Sequence, residues 1–221
     1  MTTLALFDLD HTLIPFDSGM AWTRHLVALG ALDACAEQRH LDFCHQYVAG
    51  TLDIRAMHRA LLAPLAGVAP ARLESWRESF ARSMLERLPA ATRTLVDDHR
   101  ARGDLCAIVT ATQRLVAEPF ARAFGIEHLV ASEAAMHDGC PSGETAGLPC
   151  YREHKVTQVE AWLARIGAPP LAAIERSWFY SDSIGDIALL RRVTHPVAVN
   201  PDARLREQCR KAGWPVLEPA S

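Results

Sequence analysis

The chain has 221 residues, 49% of them hydrophobic, and a formal net charge of −3. That length supports one large domain, or one domain with a modest insert, around a core that needs no disulfide staples. A near-neutral charge without a basic run excludes the electrostatic footprint of a nucleic-acid binder, whereas a small anionic ligand needs only one local cationic site.

Six scattered cysteines (Cys35, Cys44, Cys106, Cys140, Cys150, Cys209) form no CxxC pair and read as free thiols of a reducing compartment. Among ten histidines, His40 and His45 are five apart, not the four that align two ligands on a helix face, so no histidine metal site is expected. The opening MTTLALFDLD lacks a charged leader and a long apolar run. No apolar stretch of about 18 residues follows, so a cytoplasmic protein that does not engage a membrane is expected.

Residues 4–7 (LALF) read as a buried strand that ends abruptly in Asp8-Leu9-Asp10. From about 18 to 88, four apolar stripes follow a helical period. They run through Met20, Trp22 and Leu26; Leu41, Phe43, Cys44, Tyr47 and Val48; Ile54, Met57, Leu61 and Leu65; and Leu73, Trp76, Phe80, Met84 and Leu88. Gly30, Gly50, Gly67 to Pro70 and Pro89 separate them, so this segment reads as an all-helical insert. The pattern then alternates. A helix over 91–101 precedes a strand over 105–109 that ends in Thr110-Ala111-Thr112. A second helix runs to about Phe124, with a short strand near 128–131. Tight-turn pairs Asp138-Gly139 and Ser142-Gly143 mark a β-excursion within 132–153. A helix over 156–166, a strand over 178–180, a helix over 186–193, a strand over 196–199 and a helix over 202–212 complete the chain. Such alternation predicts an α/β fold with a doubly wound parallel sheet.

Active sites of open parallel sheets form beyond the carboxyl ends of the strands. Three predicted strands end in polar clusters, Asp8/Asp10/Thr12, Thr110/Thr112 and Asp182/Asp186, and Lys155 opens a helix. Two carboxylates leaving one strand end repel unless something cationic joins them. Taken singly, the bland readings stand: Thr12 bonds its own loop, Lys155 is a solvated helix start, and Asp182 and Asp186 cap the following helix.

Phe7-Asp8-Leu9-Asp10-His11-Thr12-Leu13 resembles the DxDxT signature of haloacid dehalogenase-like phosphatases. Val109-Thr110-Ala111-Thr112, Lys155 and Tyr180-Ser181-Asp182-Ser183-Ile184-Gly185-Asp186 resemble the family's second, third and fourth motifs, in order, over residues 4 to about 200. The helical insert is similar to the cap of the subclass containing phosphoserine phosphatase and histidinol-phosphate phosphatase-like enzymes. The resemblance implies a Rossmann-like core over 1–17 and 89–221 with a helical cap over 18–88. It implies an Mg2+-dependent phosphomonoester hydrolase of small phosphorylated metabolites. Asp8 would be the nucleophile and Asp10 the general acid and base; Thr110, the Ala111 N–H and Lys155 would hold phosphate. Asp8, the Asp10 carbonyl and Asp182 would bind the metal, and Asp186 would orient Lys155 or a metal-bound water. Asp17 falls where a cap-facing acid meets the substrate amine in phosphoserine phosphatases, and reads equally as the N-cap of the first cap helix. Gly185 departs from that subclass, which usually has Asn there, and weakens a phosphoserine assignment. Arg24, His25, Arg55, His58 and Arg59 are the cap's unranked polar residues. A phosphotransferase or mutase of the same superfamily shares DxDxT. A phospho-receiver domain would place its acceptor after an internal strand and carry no cap, and an inactive binding protein would be expected to have lost a motif.

Overall fold

Alternation along β1 (Thr3–Phe7) sets the layers: Ala5 and Phe7 join one hydrophobic cluster and Leu4 and Leu6 the other. A strand covered on both faces therefore reads as an unbroken apolar run. The computed structural model of the protein describes residues 2–218. Its sheet adds β2 (Leu105–Gln113), β3 (His128–His137), β4 (Cys140–Ala146), β5 (Arg176–Ser181), β6 (His195–Val199) and β7 (Val216–Leu217), in the order β4-β3-β2-β1-β5-β6-β7. Every pairing is parallel except that of β3 with β4. The order reverses at central β1, so its carboxyl end is the switch point where such sheets open a crevice.

Helices α1 (Ser18–Ala28), α2 (Cys35–Ala49), α3 (Ile54–Leu62) and α4 (Pro70–Met84) all lie between β1 and α5 (Ala90–Ala101). Side-chain caps start two of them: Asp17 accepts from the Met20 N–H, and Asp53 from those of Arg55 and Ala56. Gly50, at φ 77°, ends α2 in the left-handed conformation that glycine adopts without cost. After β2 come α6 (Arg114–Ala123), α7 (His154–Arg165), α8 (Ile187–Leu190) and α9 (Ala203–Ala212). The four inserted helices do not close on themselves. Trp22, Leu26, Leu62, Phe80 and Met84 belong to the same cluster as Phe7, Val116 and Phe120. Phe80 meets Trp22 and Phe120 edge-on at 5.2 and 5.8 Å. Truncating so central a ring costs about 3–5 kcal/mol.

The structure extends several expected elements. β2 continues through Thr110 to Gln113. β3 runs past 131 to His137 and turns through Asp138 (φ 49°) and Gly139 (φ 78°) into antiparallel β4, so the excursion is a hairpin. Two consecutive positive-φ residues are the type I′ geometry that an Asp-Gly pair favours. The fourth stripe leaves the α-helix at Met84 for a 3-10 turn, and the helix expected over 186–193 shrinks to a 3-10 turn over 184–186 followed by short α8. Strand β7 was not expected; two apolar residues carry no periodic signal. Among the described residues all six cysteines are free, and no helix is long and apolar enough to cross a membrane.

Candidate active site

The chain leaves β1 through a turn in which His11 has φ 57° and the Leu9 carbonyl accepts from the N–H groups of Thr12, Leu13 and Ile14. This folds Asp8, Asp10 and Thr12 back over the strand end. The Asp8 N–H donates to the Tyr180 carbonyl at 2.9 Å, which ties this turn to the end of β5. Lys155, in the first turn of α7 and only 3% exposed, donates to Asp8 Oδ1 at 2.8 Å and to Asp186 Oδ2 at 2.7 Å. Ser181 donates to the same Asp186 oxygen at 2.7 Å. The carboxylate of Asp186 thus serves Lys155 and makes no helix-cap bond; Ser183 supplies the cap to the Gly185 N–H. Thr12 Oγ1 lies 3.4 Å from both Asp8 Oδ2 and Asp182 Oδ1, so these two carboxylates face one another across a hydroxyl.

Asp10 is held by the Ser18 N–H on Oδ1 and by Thr112 Oγ1 on Oδ2, each at 2.8 Å. Thr110, buried, accepts from the Thr112 N–H at 3.1 Å. Parallel pairing of Phe7 with Ile108 brings Thr110 and Ala111 to the same edge as Asp8. Asp17 lies one residue before Ser18; its Oδ1 accepts from the Met20 N–H at 2.6 Å and pairs with His40 Nε2 at 3.1 Å.

The electrostatics of this pocket are unbalanced. Burial, opposed by Lys155 and reinforced by Asp186, pushes the Asp8 carboxyl up to about 7. Burial and then Asp17 push Asp10 up to about 6. Burial followed by Asp8 and Asp186 holds Asp182 well above the usual carboxylate range. Burial works against the Lys155 charge, but Asp186 and Asp8 outweigh it and keep the ammonium well above its usual value. Three carboxyl groups, Asp8, Asp182 and Asp186, thus crowd one lysine, and Asp10 adds its charge to that of Asp8, a surplus of negative charge that a bound cation would relieve. The oxygens of Asp8 and Asp182, with the Asp10 carbonyl on the same turn, are the all-oxygen donors a hard divalent ion takes.

Besides Ser18, three further contacts from the helical insert reach this edge. Tyr47 of α2 bonds Ser183 through their hydroxyls at 2.5 Å, and a Cβ at Gly185 would stand 3.3 Å from the Tyr47 hydroxyl. The tyrosine remains 39% exposed, so its hydroxyl end is what enters. His58 of α3, fully buried, donates from Nε2 to the Ala111 carbonyl at 2.9 Å, and burial lowers its imidazole to about 4. Arg152 donates to the Gly50 carbonyl at 3.2 Å. Sequence reasoning missed Tyr47, which sits in an apolar stripe and looks like core, and did not rank His58. The one available signal was Gly185, a missing side chain that asks what fills its place. Of the other polar residues of the insert, Arg24 pairs with Glu37, His25 with Ser79, Arg59 with Glu144, and Arg55 donates to the Gly147 carbonyl.

A model of the haloacid dehalogenase-like hydrolase family matches residues 5–191. A Neisseria meningitidis protein named histidinol-phosphatase is 38% identical over 220 residues, 98% of this chain and 99% of that protein. The phosphoserine phosphatase SerB1 of Mycobacterium tuberculosis is 30% identical over 228 residues, 99% of this chain and 71% of that protein. A solved Bordetella pertussis protein of unknown function superposes with a TM-score of 0.92 at 41% identity over 100% of both chains. A substrate-bound phosphoserine phosphatase superposes with a TM-score of 0.70 at 15% identity over 99% of this chain and 94% of that one, a likeness of fold.

Proposed function

The chain belongs to the haloacid dehalogenase-like hydrolase family and is a phosphatase, and we propose that it hydrolyses small phosphorylated metabolites through an aspartyl-phosphate on Asp8, with Mg2+ as cofactor. The observation that carries this reading is Asp8 itself: one oxygen on Lys155 at 2.8 Å, the other beside Thr12 and Asp182, at the switch point of the sheet.

Asp8, Asp182 and the Asp10 carbonyl would hold the metal, which when bound supplies positive charge that lets a carboxylate approach an anionic phosphate. Thr110, the Ala111 N–H and Lys155 would hold the phosphoryl oxygens, Lys155 also offsetting the charge that gathers in the transition state. An oxygen of Asp8 attacks phosphorus, the phosphorus–oxygen bond to the alcohol breaks, and Asp10 gives its proton to the departing oxygen. Asp10, now ionised, takes a proton from water; that water oxygen attacks phosphorus, the bond to Asp8 breaks, and inorganic phosphate leaves. Asp186 and Ser181 fix Lys155 so that it cannot swing away from Asp8.

We assign residues 1–17 and 89–221 to the catalytic core and 18–88 to the cap, acting in the cytoplasm. Tyr47, His58 and Arg152 fasten the cap to the loops that carry the chemistry. Asp17 Oδ2, with only a 3.8 Å contact from the Cys44 thiol, is the oxygen left to meet a cationic group of the substrate. Histidinol phosphate ranks first among substrates, because the relative named histidinol-phosphatase matches across nearly both full lengths. A phosphate-release screen over amino-alcohol, amino-acid, sugar and lipid phosphates tests this, with Asp8→Asn as the blank. Histidinol phosphate should give the highest kcat/KM; no release above the blank from any monoester would overturn the proposal.

A further inference from the structure

On α2, His40 and Cys44 are four residues apart, so both side chains leave one face of the helix. That face meets the start of α1, where Asp17 receives both: His40 Nε2 lies 3.1 Å from Asp17 Oδ1, and Cys44 Sγ lies 3.8 Å from Asp17 Oδ2. One ligand atom from each of the three residues falls within 4.8 Å of the others. Gly19 makes the arrangement fit. A Cβ there would stand 2.8 Å from His40 Cε1 and 3.2 Å from Asp17 Oδ1, so the first turn of α1 lacks a side chain where the imidazole lies. Glycine inside a helix costs about 1 kcal/mol relative to alanine, and this clearance gives it a reason.

We propose that Asp17, His40 and Cys44 form a binding site for a thiophilic divalent cation of the zinc type, joining α2 to the start of α1. Bond lengths of about 2.0–2.3 Å in a tetrahedral zinc site put a nitrogen and an oxygen ligand about 3.4 Å apart and a sulfur and an oxygen about 3.6 Å apart. Here His40 Nε2 stands 3.1 Å from Asp17 Oδ1 and Cys44 Sγ stands 3.8 Å from Asp17 Oδ2, spacings of that size on the two oxygens of one carboxylate. One imidazole, one thiolate and one carboxylate are a soft, mixed set that selects zinc, cobalt or copper, whereas the all-oxygen set around Asp8 selects a hard ion. Three protein ligands leave a fourth position open. The entering cation displaces the proton of the His40 imidazolium and the proton of the Cys44 thiol, both of which go to solvent, so binding weakens as pH falls. The cation would take Asp17 Oδ2, the oxygen assigned above to the substrate's cationic group, so cation and substrate compete for it, one residue from the Ser18 N–H that holds Asp10.

The test is a Co2+ titration of the full-length protein in saturating Mg2+, followed by absorption. One equivalent should produce a near-ultraviolet thiolate-to-cobalt band and intense visible tetrahedral bands, and Zn2+ should bleach both. Cys44→Ser should lose the thiolate band while keeping its phosphatase activity in Mg2+ alone. Absence of a thiolate band in the natural sequence, or its persistence in Cys44→Ser, overturns the proposal. The band requires no turnover, so it is read independently of whether Asp8 is the nucleophile.

Discussion

Gly185→Asn, which supplies the side chain usual in the phosphoserine phosphatase subclass, is predicted to damage this enzyme through Tyr47. The first added carbon would already stand 3.3 Å from the Tyr47 hydroxyl and 3.3 Å from the Ser183 hydroxyl, and the amide beyond it has to displace one of them. Losing the hydroxyl bond alone costs about 0.5–1.5 kcal/mol, and forcing the ring aside adds an overpacking cost of about 1–3 kcal/mol. Since Tyr47 ties α2 to the loop bearing Asp182 and Asp186, the loss falls on kcat/KM as well as on stability, at roughly tenfold or more for about 1.4 kcal/mol or more. The assay is a double-mutant cycle of Gly185→Asn and Tyr47→Ala, with kcat/KM and thermal midpoint measured for all four proteins. Tyr47→Ala empties the space the amide needs, so Gly185→Asn should cost little in that background, with a coupling of about 1–2 kcal/mol. Equal cost of Gly185→Asn with and without Tyr47 would refute this account of the contact.

Lys155→Met leaves Asp8 and Asp186 without their buried partner; in metal-free buffer it should lose about 3–5 kcal/mol of unfolding free energy, and an unchanged denaturation midpoint would contradict the central role of that ammonium. For Asp10→Asn the loss of kcat should be large on an alkyl phosphate and smaller on an activated aryl phosphate, whose leaving group needs no proton; equal losses would remove Asp10 as the general acid. Burial opposes the charge on His40, but its bond to Asp17 outweighs this and raises the imidazole from 6.5 to about 9. The stabilisation is therefore complete below pH 6.5 and fades as pH rises through about 9, while that of Asp17, whose carboxyl is lowered from 3.8, is lost only as pH falls below that value. Denaturation of the natural sequence against His40→Gln in metal-free buffer should show an advantage on the order of 3 kcal/mol near pH 6.5 that shrinks by pH 9; an advantage independent of pH would contradict the ion pair.

Much of the candidate site was legible because it sits at strand ends. An apolar run that stops at Asp8-Leu9-Asp10, and another that stops at Thr110, can be read from local pattern, and parallel pairing of β1 with β2 and β5 then brings them together. Lys155 was legible only through its neighbours, since nothing local separates it from a solvated helix start; its 3% exposure is a tertiary fact. Asp186 reads in the sequence as a partner for Lys155 or a metal-bound water that could also cap the helix; its carboxylate is on Lys155 and makes no cap bond. Contacts between the inserted helices and the sheet edge were hidden for the same reason. Tyr47 shares an apolar stripe with Leu41 and Val48, and its period says nothing about the hydroxyl that reaches Ser183. His58 carries no sequence mark of the Ala111 carbonyl it meets. In the sequence His40 is compared with His45, five residues on, and not with Cys44, because the pair with Cys44 gains meaning only from Asp17 at the start of another helix. β2 was read too short because Thr110, Ala111, Thr112 and Gln113 break the apolar pattern while the backbone remains extended.

The nucleophile is tested most directly by acid-quenching the enzyme during turnover, then weighing the intact protein and mapping its peptides. A single phosphoryl group on Asp8, absent from Asp8→Asn together with turnover, is the predicted result. Phosphorylation of a different residue, or an Asp8→Asn protein that folds and still turns over substrate at a substantial rate, would contradict the account.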